Sequence, residues 1–170
     1  MSVPGPDRTA AWERVNQRPH ILILTDDPDL RDFLGQGLLM AGFWTSTIAS
    51  GIQAIEVFRM RRFDLIVIDA HIRGLSALEI VRRLRGTGKR GSDPLTRIPI
   101  AIIDADVDRT AREELSRTGD FDFLDPPLEL DDVVIRLMAS VAAWRADNPE
   151  EPWADASVPQ SRGPRDDSSI

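Results

Sequence analysis

Aspartates follow four of the strand-like apolar runs in this sequence, at the point where each run ends. They are Asp26, Asp27, Asp69, Asp104 and Asp125. Carboxylates gathered at one edge of a sheet repel one another unless a hard cation compensates their charge, and Mg²⁺ prefers such an oxygen-rich site. The spacing therefore predicts a divalent-metal pocket built from these acids.

Asp69 ends the most apolar of these runs. Residues 65–68 are four consecutive branched apolar residues between polar flanks, which is typical of a strand buried on both faces of a parallel sheet. Open α/β sheets place their ligand sites at the carboxyl ends of such strands. Acids after strands also cap helices, and this alternative stays open for Asp27 and Asp108. It does not explain Asp69, because Ser76 already supplies the cap of the helix that follows.

The elements that must position these acids alternate along the chain. The predicted strands are 20–24, 43–48, 65–68, 98–103 and 121–124. The predicted helices are 28–41, 51–62, 77–84, 108–118 and 130–144. Five strands alternating with five helices predict a parallel sheet wound on both faces.

Composition limits what this domain can do. The chain has 170 residues, a formal net charge of −7 and no cysteine. The absence of cysteine excludes thiolate metal sites, thiol nucleophiles and disulfides. The acidic balance argues against nonspecific nucleic-acid binding, which depends on Lys and Arg. No stretch approaches the roughly 18 apolar residues of a membrane span, so we expect no membrane partner and a cytoplasmic location.

The length accommodates one domain with two tails. We expect a flexible N-terminal arm over residues 1–18, a folded domain over 19–145 and a disordered tail over 146–170. The last segment is rich in Pro, Glu, Asp, Ser and Arg, and such a segment buries too little apolar surface to fold.

Together these features resemble the receiver domain of two-component response regulators. The resemblance covers about residues 20–144 and rests on the order of elements and on four short motifs. The motifs are Leu24-Thr25-Asp26-Asp27-Pro28-Asp29-Leu30-Arg31, Asp64-Leu65-Ile66-Val67-Ile68-Asp69, Ile98-Pro99-Ile100, and Phe123-Leu124 before a proline. The resemblance implies a flavodoxin-like (βα)5 doubly wound, five-stranded parallel sheet of order 2-1-3-4-5, with its ligand site at the first and third strands.

The resemblance also implies roles for individual residues. Asp69 matches the aspartate that receives a phosphoryl group from a histidine kinase, and Asp26 matches the principal Mg²⁺-binding acid. The backbone carbonyl of His71 would complete the metal shell, and Asp27 stands where a further acid is common. Thr25 stands where the family usually has the first acid of its pair, so we expect a weakened magnesium site.

Both groups that hold the phosphoryl oxygens in the family are replaced. Asp104 stands in place of a Ser or Thr hydroxyl, and Pro126 in place of a lysine. A carboxylate about 4 Å from a phosphoryl group costs about 4 kcal/mol per unit charge at an effective dielectric near 20. We therefore expect phosphorylation of Asp69 to be disfavoured. Arg73 is interpreted either as a partner of the phosphate or as an exposed loop arginine.

The family's switch aromatic is matched by Phe123, which lacks a hydroxyl. With Asp104 in place of the mobile hydroxyl, we expect the switch to be held in one state, uncoupled from phosphate. The resemblance also implies a cis peptide bond between Pro126 and Pro127.

The implied function is a signalling module and not an enzyme. No second folded segment is predicted after Trp144, so we expect a single-domain receiver whose output is a protein contact. The expected partner is a histidine kinase or another signalling protein, with a homodimer through the fourth helix, fifth strand and fifth helix. The alternative is a Mg²⁺-dependent phosphatase of haloacid-dehalogenase type, with Asp104 and Asp106 as its aspartate pair, although little folded chain follows them.

Overall fold

A computed structural model describes residues 18–86, 93–103 and 108–154. Within these ranges the strands are β1 His20–Leu24, β2 Trp44–Ile48, β3 Leu65–Asp69, β4 Ile100–Ile103 and β5 Phe121–Leu124. The helices are α1 Pro28–Met40, α2 Gly51–Met60, α3 Ala77–Arg85, α4 Arg109–Ser116 and α5 Leu130–Asp147. The strands form one parallel sheet in the order β2-β1-β3-β4-β5, which confirms the predicted flavodoxin-like architecture.

The central strands bring the end of β1 next to the end of β3. Leu24 lies opposite Ile68 in this pairing, and Asp69 lies opposite Ile103 of β4. The strands run in the same direction, so their carboxyl ends share one edge of the sheet. That edge collects the residues that follow β1 and β3, as the sequence predicts.

Alternating residues of the strands build a separate apolar layer on each face of the sheet. Leu24 and Ile68 contribute to the layer shared with α2, α3 and α4, whereas Ile23 and Val67 contribute to the layer shared with α1 and α5. Because both faces are covered, every residue of β3 is buried. Burial on both faces is the reason why β3 is a continuous apolar run in the sequence.

Polar side chains start four of the helices, among them α2, which Ser50 caps. Asp27 accepts a hydrogen bond from the backbone N–H of Asp29 at 2.9 Å, and Asp108 caps α4 through Ala111 at 2.8 Å. Ser76 caps α3, as predicted. The capping alternative is thus confirmed for Asp27 and Asp108.

The fold extends past residue 145, where the sequence predicts the domain to end. α5 continues to Asp147, Trp153 packs against the layer formed with α1 and α5, and Ala154 is buried. The first nine residues of the predicted tail, 146–154, are therefore part of the fold. The rest of that tail and residues 1–17 of the predicted arm lie outside the described residues.

Asp64 ties this extension to the start of the sheet. The carboxylate is 1% exposed. Its Oδ2 accepts from the backbone N–H of His20 at 2.7 Å, and its Oδ1 accepts from Nη2 of Arg145 at 2.5 Å and from the N–H of Ala154 at 3.2 Å. The guanidinium of Arg145 also lies over the ring of Trp153, with 3.9 Å from Cζ to the ring centroid. One buried carboxylate thus joins β1, α5 and the segment after α5.

Across the described ranges, none of the helices has the length and apolar character that crossing a membrane requires.

Replacing Asp64 by Ala should lower the free energy of unfolding by about 3 kcal/mol, because the partner charge of Arg145 is left without its buried carboxylate. Urea denaturation followed by circular dichroism measures this change. Glu56→Ala on α2 is the matched control, since that side chain is 59% exposed and its loss should cost less than about 0.5 kcal/mol. Equal midpoints for the two variants would contradict the structural role of Asp64.

Candidate functional site

A cavity of about 580 Å³ opens at the carboxyl edge of the sheet, beside the ends of β1 and β3. Its lining brings together five of the residues predicted from the sequence: Asp26, Asp27, Asp69, His71 and Pro126. Its apolar lining includes Leu30 and Phe33 of α1. We call it the acidic cavity.

Both carboxylate oxygens of Asp69 are hydrogen-bonded. Oδ2 accepts from the hydroxyl of Thr25 at 2.7 Å, and Oδ1 accepts from the backbone N–H of His71 at 2.9 Å. The Thr25 hydroxyl in turn accepts from the N–H of Asp27 at 3.1 Å, so its single proton is directed at Asp69. Thr25 and Asp69 are 2% and 5% exposed. The position where the family has an acid thus holds a buried donor to Asp69.

Arg73 forms an ion pair with Asp26, the acid that the resemblance identifies as the principal Mg²⁺ ligand. Oδ2 of Asp26 accepts from Nε of Arg73 at 3.0 Å and from its backbone N–H at 3.2 Å. The side-chain hydrogen bond, followed by the backbone one, lowers the pKa of Asp26 below its ordinary value of 3.8. Arg73 remains 88% exposed, so the pair is a surface ion pair of modest strength. Arg73 is an exposed loop arginine, as one interpretation held, but its partner is Asp26.

The described residues do not by themselves fit a tight magnesium site. Across residues 18–86, 93–103 and 108–154, no three side chains of the types His, Cys, Asp or Glu are grouped to hold a metal. The carboxylate of Asp26 is already paired with a guanidinium, and Thr25 contributes a hydroxyl that is committed to Asp69. The metal role of the His71 carbonyl stays a prediction.

Pro126, which the resemblance aligns with a lysine of the family, lines the wall of the acidic cavity after β5. The peptide bond between Pro126 and Pro127 is cis, which confirms that prediction. Asp104 and Asp106 lie outside the described residues. Among the described residues that line the cavity, those after β5 contribute the ring of Pro126 and no cation.

Phe123, the matched switch aromatic, is half-buried under a guanidinium. Cζ of Arg112 lies 4.7 Å from the ring centroid, and Nη2 of Arg112 lies 3.5 Å from Oδ1 of Asp125. Nη2 of Arg136 donates to the carbonyl oxygen of Phe123 at 2.9 Å. Side chains from α4 and α5 thus hold both the ring and the backbone of this residue.

The acids of the cavity are evident in the sequence, whereas the bonds that occupy them are not. Thr25 departs from the family pattern, and its role as a donor to Asp69 follows only from the structure. The place of Arg73 in the loop after β3 is the signal in the sequence for its pairing with Asp26.

Comparison with known proteins finds relatives that match most of the described domain. A family model for the response regulator receiver domain matches residues 21–138. Response regulator MprA of Mycobacterium tuberculosis is 27% identical over 140 residues, which cover 79% of this chain and 55% of that protein. Hybrid signal transduction histidine kinase D of Dictyostelium discoideum is 28% identical over 126 residues, which cover 74% of this chain and 8% of the kinase. The chain thus spans about half of one relative and a small part of the other.

Solved structures share the fold. The receiver domain of the Francisella response regulator 1452 superimposes with a TM-score of 0.63 at 22% identity, covering 75% of this chain and 99% of that one. The receiver domain of sensor histidine kinase PA1611 from Pseudomonas aeruginosa gives a TM-score of 0.62 at 23% identity, covering 74% and 98%. That structure has a magnesium ion coordinated in its active-site cleft.

Replacing Arg73 by Gln should raise the pKa of Asp26 towards 3.8, because the guanidinium that stabilises the charged carboxylate is removed. In the parent protein the pKa of Asp26 is lower in the folded state than in the unfolded state. The contribution of the pair to stability is therefore complete above pH 3.8 and is lost as the pH falls through the depressed pKa. A carboxyl-carbon NMR titration measures the change. Arg31→Gln, whose side chain pairs with Asp32, is the control, and an equal shift of Asp26 in both variants would refute the assignment.

Proposed function

The chain belongs to the response regulator receiver domain family, and from this premise we propose that it is a receiver whose output does not depend on stable phosphorylation of Asp69. Receiver domains act in two-component signalling, and this is the general function of the chain. The observation that supports the proposal is that both carboxylate oxygens of Asp69 accept hydrogen bonds, one from the hydroxyl of Thr25 and one from the backbone N–H of His71.

A phosphoryl group on Asp69 would lack partners in the described part of the cavity. It brings about −1.5 to −2 charges, which need cations or hydrogen-bond donors. The guanidinium of Arg73 is held by Asp26, and the β5 side offers Pro126. To react, Oδ2 of Asp69 would also give up the hydrogen bond from Thr25. The charge balance thus favours the unmodified carboxylate.

We also propose that Mg²⁺ binds weakly. The ion would compete with Arg73 for the carboxylate of Asp26, and it would find a hydroxyl at Thr25 where a second acid would help to hold it. Asp26, Asp69 and the His71 carbonyl are the groups that would hold it, and its chemistry would be to offset negative charge on the phosphoryl oxygens.

The switch is proposed to rest in one state. The contact between Arg112 and Phe123 is of the cation–π kind, worth about 0.5–1 kcal/mol where it is exposed. The ion pair with Asp125 keeps the guanidinium in place. Because these contacts do not involve Asp69, the position of Phe123 is set independently of phosphate.

The proposed output is a contact with a histidine kinase or another signalling protein, in the cytoplasm and without nucleic acid. We also propose a homodimer through α4, β5 and α5. The acids of this face are largely internally compensated, since Glu113 pairs with Arg109 and Glu114 with Arg82. Charge therefore contributes little attraction, and the apolar side chains Ile135 and Met138 of α5, 67% and 52% exposed, are the better contact residues.

We propose no enzymatic activity. Receiver domains are signalling modules, and neither the fold nor the relatives support the phosphatase alternative. Its two aspartates, Asp104 and Asp106, lie outside the described residues.

Incubation with a small phosphodonor and Mg²⁺, followed by intact-mass measurement, tests the proposal. We expect no phosphoryl adduct on the parent protein. The variant Thr25→Asp, Asp104→Thr, Pro126→Lys should gain one phosphoryl group, because it restores a metal-binding acid, a hydroxyl and a cation. Adding Asp69→Asn to this variant should abolish the adduct. A labile adduct on the parent protein that Asp69→Ala removes would overturn the proposal.

Size-exclusion chromatography with light scattering tests the homodimer. We expect the mean mass to rise with protein concentration, and we expect Ile135→Ser with Met138→Ser to weaken association at least about tenfold, because two apolar side chains lose their buried surface. Met40→Ser on α1 is the control, since Met40 is 88% exposed and lies outside this face. A monomer at every concentration would refute the homodimer.

A further inference from the structure

A second cavity, of about 450 Å³, lies at the amino-terminal edge of the sheet, opposite the acidic cavity. The end of α2, the loop that leads into β3, residues 94–98 before β4, the end of α5 and residues 151–152 form its walls. Its lining includes five arginines: Arg59, Arg61, Arg62, Arg97 and Arg145. We call it the arginine cleft.

Positive charge in the arginine cleft is largely uncompensated. Arg61, Arg62 and Arg97 form no ion pair with any residue that the structure describes, and among the described lining residues Glu151 supplies the one acidic side chain. The pKa of Arg85, which lies behind this wall, is lowered to about 10 by burial, while the carboxylate of Asp120 raises it and the charge of Arg97 lowers it to a smaller extent. In a chain of net charge −7, such a cluster of guanidinium groups is a place where the binding of an anion is electrostatically favourable.

The walls that carry these arginines are fixed. Arg85 donates from Nη1 to the carbonyl oxygen of Thr96 at 3.0 Å and from Nη2 to that of Ile98 at 2.8 Å, which holds the backbone on both sides of Arg97. Across the cleft, Nη1 of Arg145 donates to the carbonyl oxygen of Glu151 at 2.5 Å. Fixed walls reduce the conformational entropy that a ligand must overcome.

Aromatic residues complete the lining. Phe58, Phe63 and Trp144 lie among the arginines, and the first two contact each other edge to face with 5.2 Å between centroids. A volume of about 450 Å³ falls in the range of small-molecule sites, roughly 300–1,000 Å³. Phe58, Phe63 and Trp144 are only 8%, 4% and 6% exposed, so the cleft combines an arginine-rich rim with a small exposed apolar area, and its volume exceeds that of an inorganic ion.

We propose that the arginine cleft binds an organic phosphate of nucleotide size. The guanidinium groups of Arg61, Arg62 and Arg97 pair with the phosphate oxygens, for which their planar fork of donors is suited. The organic part contacts the exposed edges of the aromatic side chains. This site lies at the other edge of the sheet from Asp69, so binding is independent of phosphorylation there.

Isothermal titration calorimetry of the full chain with ADP, without Mg²⁺, tests the assignment. We expect saturable binding with one ligand per chain, weakened by added salt because the contacts are electrostatic. The variant Arg61→Gln, Arg62→Gln, Arg97→Gln should weaken binding at least about tenfold, since even one lost charge-assisted hydrogen bond amounts to that factor. Arg145 is left unchanged because it pairs with Asp64.

Two matched variants locate the effect. Arg31→Gln on α1 and Arg109→Gln on α4 each remove a guanidinium outside the cleft, and both should bind ADP as the parent protein does. Circular dichroism and urea midpoints confirm that each variant is folded. Loss of binding in Arg31→Gln equal to that in the triple variant would overturn the assignment.

Three further outcomes would overturn it. Absence of ADP binding up to millimolar concentration would remove the site. Equal affinity for inorganic phosphate would show that the aromatic lining contributes nothing and that the ligand is not an organic phosphate. Tighter binding of an oligoglutamate peptide than of ADP would assign the cleft to an acidic segment of a protein partner.

Discussion

The hydrogen bond from Thr25 to Asp69 sets the electrostatics of the acidic cavity. An acid at position 25 would place two carboxylates within contact distance and would require a cation between them. The hydroxyl removes that repulsion and satisfies the buried oxygen of Asp69 at 2.7 Å. The remaining acid, Asp26, is paired with Arg73 from the chain itself. The acids of the cavity therefore stay at the carboxyl edge of the sheet, where protein donors occupy Asp69 and one ion pair occupies Asp26.

Charge is distributed unequally between the two edges of the sheet. The carboxyl ends of the strands carry Asp26, Asp27 and Asp69, whereas the loops before β3 and β4 carry Arg61 and Arg97. Parallel strands make this separation possible, because every strand enters from one edge and leaves at the other. An anion and a cation approaching this domain would thus be drawn to opposite edges.

The fold was predictable from the sequence, because its signals are local. Branched apolar runs marked β1 and β3, and helical spacing and caps marked α1 and α3. β4 begins at Ile100, two residues after the predicted start, since Pro99 cannot donate to a ladder. The acids of the site were predictable for the same reason, as each follows a strand.

The pairings within the site were not predictable, because they depend on distant residues. Thr25 and Asp69 are 44 positions apart, and Asp26 and Arg73 are 47 apart. The carboxylate of Asp64 is satisfied by a residue 90 positions away, so the packing of residues 148–154 had no local signal. That contact brings the start of β1 and the segment after α5 together, since His20 and Ala154 meet on one carboxylate. A circular permutant that joins these two ends with a short linker and opens elsewhere would keep every strand in place, since neighbouring ends tolerate such rewiring.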